Sequence, residues 1–481
     1  MFDIAIIGAG IIGASIAREL SKYQLRVLLL EKSNDVGGGA TKANSGIIYN
    51  GHNARTDKRK GKLTLAGSRL VQDLCKELDV HYKKIDMLIT GYDEEDDNTL
   101  EELYGRASAN GIPNVRIISG NEALALEPLL NNNIRSALLN PGCGLIDPWE
   151  LCIALVENAV HNGLVLHLRS EVASIVKTND LFVLTMNTGQ HYKAQIVINC
   201  AGLYADRINA MTKSAPYTIE PKRGQYAVLD HNTDFPLNHI VSHCKTEKEK
   251  GIFLIPSVSG NIILGPVMEK VAHSGEAGST AEGMEKLMKS AHKMSGFISR
   301  HQVIRTFTGM KAKCSLGDFH IGESLETPGF IHAAGINSPG LTCSPAIALE
   351  VVEIVQTIRS RMQLNCLPRD SFFPRRTRIV PFKSIPDKEK NAWISRDPAY
   401  GRIICRCEQI SEGEILQAIR RGSGALSVKG ISKRTRAGMG RCQGGFCSPK
   451  IIELLAAESG QPMDKIEFGD DGSTLLIEPL S

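Results

Sequence analysis

Two cysteine pairs near the C-terminus are the residues of this 481-residue chain whose spacing first suggests chemistry. Cys405 and Cys407 flank a single arginine, and Cys442 and Cys447 flank Gln-Gly-Gly-Phe. Four thiolates delivered by two tight loops can hold a zinc ion or an iron–sulfur cluster. Neither pair has the C-x-x-C spacing usual for zinc. The other eight cysteines (Cys75, Cys143, Cys152, Cys200, Cys244, Cys314, Cys343 and Cys366) stand singly. They read as small buried hydrophobes rather than as a secreted disulfide framework.

The opposite end carries a different chemistry. "DIAIIGAGIIGASIAREL" is an apolar strand, then Gly8-x-Gly10-x-x-Gly13, then a helical pattern, and the next strand, "RVLLLEK", ends at Glu31. Gly8 permits the tight turn, Gly10 lets backbone approach a pyrophosphate, and Gly13 lets helix and strand pack closely. The helix N-terminus faces phosphate and Glu31 accepts hydrogen bonds from a ribose. These parts in register predict a dinucleotide site. Further on, the Gly-rich "GGGATKANSGII" offers Thr41, Asn44, Ser45 and Gly46. "VINCAGLYAD" is a strand ending at Ala201-Gly202. "GFIHAAGINSPGLTCSPAIALEVVEIV" runs strand, glycine turn and helix, with Gly340, Leu341 and Thr342 at the helix start.

In this order, over roughly residues 1–365, these segments resemble the D-amino-acid-oxidase-like flavoenzymes. The resemblance implies FAD as the dinucleotide, held at Gly8, Gly10, Gly13, Glu31, Thr41, Asn44, Ser45, Gly46, Val172, Gly202, Gly335, Gly340, Leu341 and Thr342. "TKANSGII", "LIDPWELCIALVENAV", "KGIFLIPSVSGNIILGP" and "INSPGLTCSPAIA" are similar to the branch containing glycerol-3-phosphate oxidases and dehydrogenases and L-2-hydroxyglutarate oxidases. "TRAGMGRCQGGFCSP" resembles the bacterioferritin-associated-ferredoxin-like domain of the anaerobic dehydrogenase type. That resemblance implies a [2Fe-2S] cluster on Cys405, Cys407, Cys442 and Cys447. A flavin takes two electrons from an organic substrate and such a cluster hands them on singly. The expected function is therefore FAD-dependent oxidation of sn-glycerol 3-phosphate to dihydroxyacetone phosphate, with electrons leaving to a partner. The rival expectations are a flavin dehydrogenase of another hydroxy acid or amine, such as L-2-hydroxyglutarate, and a non-catalytic redox sensor or structural subunit.

Oxidising an alcohol needs a base for the hydroxyl proton and, for an acidic substrate, cations. Where the resembling oxidases carry a histidine this chain has Tyr49, with His52 three residues later. The lower ordinary pKa of histidine makes His52 the better base and leaves Tyr49 to bind substrate. The family's arginine is Lys311 here, which keeps the charge without the bidentate fork. Lys250 and Ser338 complete the expected catalytic set, and Arg223 and Arg305 are further anion or flavin contacts.

These residues require an α/β chain of several domains, since 481 residues exceed one ordinary core. A Rossmann-like FAD domain is expected over 1–80, 146–215 and 326–365, and an antiparallel-β substrate domain over 81–145 and 216–325. An extended linker over 366–400 leads to a small helical [2Fe-2S] domain at 401–460 and a tail at 461–481. Ser411 and Glu414 form an N-terminal capping pattern in that domain. Residues 401–450 hold ten Lys/Arg against three Glu, so the rest of the chain is near −3. Arg406, Arg434, Arg436 and Arg441 are expected to offset an anionic cluster. No stacking aromatics accompany this charge, so nucleic acid is not an expected partner. The expected partners are a small anionic substrate and an electron-acceptor protein or subunit. No apolar run approaches a membrane span and no leader pattern is evident, which predicts a cytoplasmic protein whose membrane association, if any, is made through a partner.

Overall fold

The computed structural model describes residues 1–231, 236–244 and 251–476. Among them, Val165–His167, Val27–Leu30, Phe2–Ile7, His191–Asn199 and Phe330–Ala334 lie side by side in that order as parallel strands. His320–Glu323 closes one edge antiparallel. The hairpin Val172–Thr178/Leu181–Met186 extends from His191–Asn199. The central strands are buried on both sides, as a parallel sheet under helices requires. The Ile11–Leu20, Pro148–His161 and Gly340–Arg361 helices share one core with this sheet. By length and composition Gly340–Arg361 could cross a membrane, which a search for unbroken apolar runs misses. Here it is a core helix, packed against Ile11–Leu20 and Arg59–Glu77.

A second, nine-stranded sheet is mostly antiparallel. Its order is Val303–Cys314, Ile219–Leu229, Ile262–Lys270, Phe253–Pro256, Ile240–His243, Lys83–Gly91, Ser136–Leu145 and Ile47–Ile48, with Arg116–Ser119 also on Ser136–Leu145. Two short strands exchange sheets relative to the expected boundaries: Ile47–Ile48 joins the second sheet and His320–Glu323 the first.

The C-terminal domain has its own core of Ile415, Ala418, Ile431, Ile451, Ile452 and Leu455 under three helices, Glu412–Arg420, Val428–Thr435 and Ser448–Ser459. The Ser411–Glu414 capping box forms as the pattern predicts. The segment before it is not simply extended. It first runs over the flavin-type domain, where Arg369 N–H donates to the Lys22 carbonyl (2.7 Å) and Phe373 N–H to Asn162 Oδ1 (2.8 Å). It then forms the Asp387–Arg396 helix, whose Trp393 and Ile394 pack with Phe382 and Tyr400.

Three carboxylates fasten the C-terminal domain to the first. Asp35, 4% exposed, meets Arg434 at 2.9 Å and Lys433 at 3.1 Å. Glu157 accepts from connector Arg376 (2.6 Å) and from Arg421 (3.0 Å). Glu467 accepts from Asn34 Nδ2 (2.6 Å) and Arg169 (2.7 Å). Burial alone would raise the Asp35 pKa, but Arg434 and Lys433 overcome it and hold the carboxyl at about 2. An unfolded aspartate titrates near 3.8, so this contact stabilises the fold fully above that pH and is lost as pH falls toward 2. Arg434→Met leaves a buried carboxylate with only Lys433, a change of the class that costs about 3–5 kcal/mol. Calorimetry should show a clearly lower melting temperature for Arg434→Met at pH 7, and a smaller difference between variant and wild type below pH 3. An unchanged melt at pH 7 would show that the contact contributes nothing.

Candidate functional site

The strand Phe2–Ile7 ends at Gly8, whose φ of +103° is left-handed and whose added Cβ would lie 2.6 Å from the Cys200 carbonyl oxygen. A Cβ at Gly13 would lie 2.0 Å from the Gly8 oxygen. Both positions therefore exclude side chains, and Gly10 caps the helix that follows. Glu31 ends the second strand, with Oε2 accepting from Ala9 N–H (2.8 Å) and Oε1 from Ser33 N–H (3.0 Å). Each oxygen keeps a lone pair for a ribose hydroxyl. Val172 is buried at the start of its strand, two residues after Ser170, whose N–H donates to the Glu31 carbonyl (2.8 Å).

Thr41 and Asn44 prove to be loop builders. Thr41 Oγ1 accepts from Ile11 N–H (2.9 Å), tying the loop to the helix start. Asn44 donates to the Thr41 carbonyl (3.0 Å) and accepts from Gly46 N–H (2.8 Å). Ser45 borders a cavity beside them, and a Cβ on Gly46 would meet the Ile146 oxygen at 2.3 Å. Gly202 and Gly335 take positive φ at the ends of their strands. Gly340, Leu341 and Thr342 open the long helix, and Thr342 Oγ1 accepts from Tyr49 N–H (3.1 Å). The crowded glycines and the free lone pairs of Glu31 at the start of the Ile11–Leu20 helix fit a bound FAD.

Around the alcohol-oxidation residues the structure adds partners that sequence reading missed. His52, 5% exposed, has Nδ1 at 3.2 Å from Asn50 Oδ1 and 3.0 Å from Asn140 Nδ2. Burial, with a smaller push from Arg106, lowers its pKa to about 4, so the imidazole is neutral at pH 7. The Tyr49 ring lies 6.3 Å from it. Burial, then Tyr226 and Cys143, push the Tyr49 phenol upward, which makes it a donor rather than a base. Tyr226 stacks on Phe307 at 4.6 Å. Lys311 faces Lys222 across the strands, and Lys222 faces Lys270, so three lysines form one cross-strand row. Like charges directly opposite are unfavourable in a sheet unless an anion answers them. Only the pairing register reveals this row; in sequence the three are far apart. Ser338 is exposed just before the long helix. Arg223, expected as an anion or flavin contact, pairs with Glu269 at 2.8 Å. Lys250 lies outside the described residues.

The four C-terminal cysteines converge. Cys405 Sγ is 3.8 Å from Cys407 Sγ, which is 3.8 Å from Cys442 Sγ, and Cys447 interacts with Cys405. A pair of thiolates on one metal with ~2.3 Å bonds stands about 3.8 Å apart. Burial and the neighbouring Cys405 push the Cys407 thiol up to about 12, the reverse of what a bound metal, which holds its cysteine ligands as thiolates, would do. A Cβ on Gly440 would lie 2.5 Å from Cys407 Sγ, and Gly438 N–H reaches Cys405 Sγ at 3.5 Å. This donor set fits the cluster. Three of the four arginines expected to neutralise it have other partners: Arg434 holds Asp35, Arg436 meets Glu408 (3.2 Å) and Ser259 (2.6 Å), and Arg441 meets Asp230 (3.0 Å). The local basicity serves docking. Arg406 remains exposed.

Comparison with known proteins agrees with both halves. Residues 3–354 match the family model described as FAD dependent oxidoreductase, and residues 403–457 match the BFD-like [2Fe-2S] binding domain. The glycerol 3-phosphate dehydrogenase of Caloramator mitchellensis is 42% identical over 479 residues, 100% of this chain and 99% of the other. One of the subunits of the anaerobic glycerol-3-phosphate dehydrogenase of Escherichia coli K12 is 23% identical, with 94% of this chain and 88% of the other covered. The solved L-alpha-glycerophosphate oxidase of Mycoplasma pneumoniae, with FAD bound, superimposes at a TM-score of 0.74 and 28% identity, covering 78% of this chain and 98% of the other.

The glycine contact tests the cysteine site. Gly440→Ala should lower iron and sulfide per chain in anaerobically prepared protein while leaving FAD content unchanged, because the added methyl presses on Cys407 Sγ (2.5 Å), Cys407 Cβ (3.1 Å) and Glu408 Oε1 (3.2 Å), all within the cysteine domain. Wild-type iron in that variant would mean that the loop holds its metal differently.

Proposed function

Because the chain belongs to the FAD dependent oxidoreductase family and carries a BFD-like [2Fe-2S] binding domain behind it, we propose that it oxidises sn-glycerol 3-phosphate to dihydroxyacetone phosphate, the cysteine domain being the exit for electrons. The observation that carries this reading is the 42% identity to a glycerol 3-phosphate dehydrogenase along the entire chain, both halves included. The glycerophosphate oxidase, by contrast, is matched over 98% of its length by 78% of this chain. Bound FAD supplies a two-electron acceptor for the alcohol carbon, and a [2Fe-2S] cluster releases electrons singly to a protein acceptor.

The chain's own residues do the rest. The lysine row at Lys222, Lys270 and Lys311 answers the substrate phosphate, and Lys250 is assigned to the same task from its sequence position. His52 accepts the hydroxyl proton, held in orientation by Asn50 and Asn140. Tyr49 donates a hydrogen bond to the substrate, and Ser338 contacts it at the site's edge. A neutral imidazole accepts a proton without first losing one, and its low pKa means that it passes the proton on quickly. A separate electron-acceptor protein or subunit docks on the C-terminal domain, in keeping with the Escherichia coli relative being one subunit of its enzyme. The twelve unpaired cysteines suit a reducing compartment, and we place the protein in the cytoplasm.

The deciding experiment is anaerobic: sn-glycerol 3-phosphate added to oxidised protein should bleach the flavin absorption. Faster bleaching by L-2-hydroxyglutarate would overturn the substrate assignment. His52→Asn should slow bleaching by roughly 10²–10⁴-fold if the imidazole is the base. Since the His52 pKa is lowered to about 4, its neutral form prevails above that value. The bleaching rate should therefore hold steady from pH 8 to about 5 and fall only below. A fall already near pH 6.5 would place the base in solvent. Lys311→Ala should chiefly raise the substrate concentration required.

A further inference from the structure

A cavity of about 430 Å3 lies between the Lys42–Gly46 loop, one end of the nine-stranded sheet and the C-terminal domain. It is separate from the lysine row but shares the Asn44–Gly46 loop with the FAD cradle. Arg305 on its wall precedes Lys311 by six positions on the same strand, about 20 Å at ~3.3 Å per residue. Its volume lies within the range of small-molecule sites.

The lining is unusual in what lacks a partner. Lys42, Lys433 and Arg436 also border the cavity, but each pairs with a carboxylate. Among the described residues Lys429 and Arg305 have no such partner: the one contacts the Phe468 ring at 4.6 Å, the other donates to the neutral Gln443 side chain at 2.9 Å. The two cations line the same cavity. The Ser257 hydroxyl, also on the wall, is closed off from solvent with no hydrogen-bond partner. The wall also carries three carboxylates, Asp35 and Asp470 paired with Lys433 and Lys42, and the buried Asp147 beside Arg436, together with the rings of Trp149, Phe307 and Phe468. Two uncompensated cations and an orphaned hydroxyl ask for an anion, and three rings ask for a flat apolar body.

We propose that this cavity binds an aromatic ligand carrying a single phosphate or carboxylate group, at the seam between the flavin-type and cysteine domains. The anionic group meets Lys429 and Arg305, and the ring system lies among Trp149, Phe307 and Phe468. Such a ligand touches both domains at once and links their relative position to its own binding.

The site does not depend on the substrate assigned above, and its test uses none. AMP is titrated calorimetrically into protein saturated with FAD and loaded with its cluster, with adenosine and inorganic phosphate as separate probes of the two halves. AMP should bind once per chain, at least about tenfold tighter than either half. Lys429→Met and Arg305→Met should each weaken it by about tenfold or more, with FAD and iron content unchanged. No AMP binding overturns the proposal. So does phosphate binding as tightly as AMP, which describes a bare anion site, or AMP affinity retained in both variants, which places it elsewhere.

Discussion

Asp35 is shut away from water, and the two cations that hold its charge, Arg434 and Lys433, come from the other end of the chain. A buried carboxylate without such partners would be strongly unfavourable. Much else follows from this contact. Asp35 is four residues past Glu31, in the turn leading to the Thr41–Gly46 loop, so the dinucleotide cradle and the C-terminal domain share a structural element. Arg434 ends the helix from which the chain turns, through Arg436 in a left-handed conformation, into the loop of Cys442 and Cys447. The two cofactor sites are thus built on adjoining stretches of backbone. Removing the C-terminal domain is therefore not neutral for the flavin half. Truncation would leave Asp35, Glu157 and Glu467's partners Asn34 and Arg169 without their counterparts.

The alcohol site depends on a different balance. His52 is kept neutral by burial, while the cations stand apart from it on the sheet. The proposed roles thus fall in separate environments, His52 buried beside Asn50 and Asn140, and the lysine row on the strands Ile219–Leu229, Ile262–Lys270 and Val303–Cys314. Were the base beside the lysines, their charge would lower its proton affinity further.

Much of the cofactor chemistry was legible in the sequence because it is local. Gly8, Gly10, Gly13 and Glu31 fall within one strand–helix–strand unit, and each cysteine pair lies within one loop, so spacing marks a dinucleotide turn and a four-thiolate site, while the family resemblance implies FAD and [2Fe-2S] as their occupants. The roles of Thr41 and Asn44 were less legible, since their positions matched but their side chains build the loop. Partnerships between distant segments were not legible at all. The sequence shows that residues 401–450 are basic, but not that Arg434, Arg436 and Arg441 face Asp35, Glu408 and Asp230. It shows Lys311, but not the register that lines up Lys222 and Lys270 beside it. His52 was identified by type, whereas the partner that orients it, Asn140, comes from a strand about ninety residues away.

The division of Asp35 and Arg434 between the two ends of the chain also imposes an order on biosynthesis. While the ribosome is still making the middle of the protein, the nucleotide-binding turn has already emerged, and its aspartate must remain hydrated. Only after some four hundred further residues does the cation that allows its burial leave the exit tunnel. The nascent flavin half therefore stays open at the face that the last domain will cover. A chain terminated early would display that face permanently, with Asp35 and Glu157 left without the cations of the last domain.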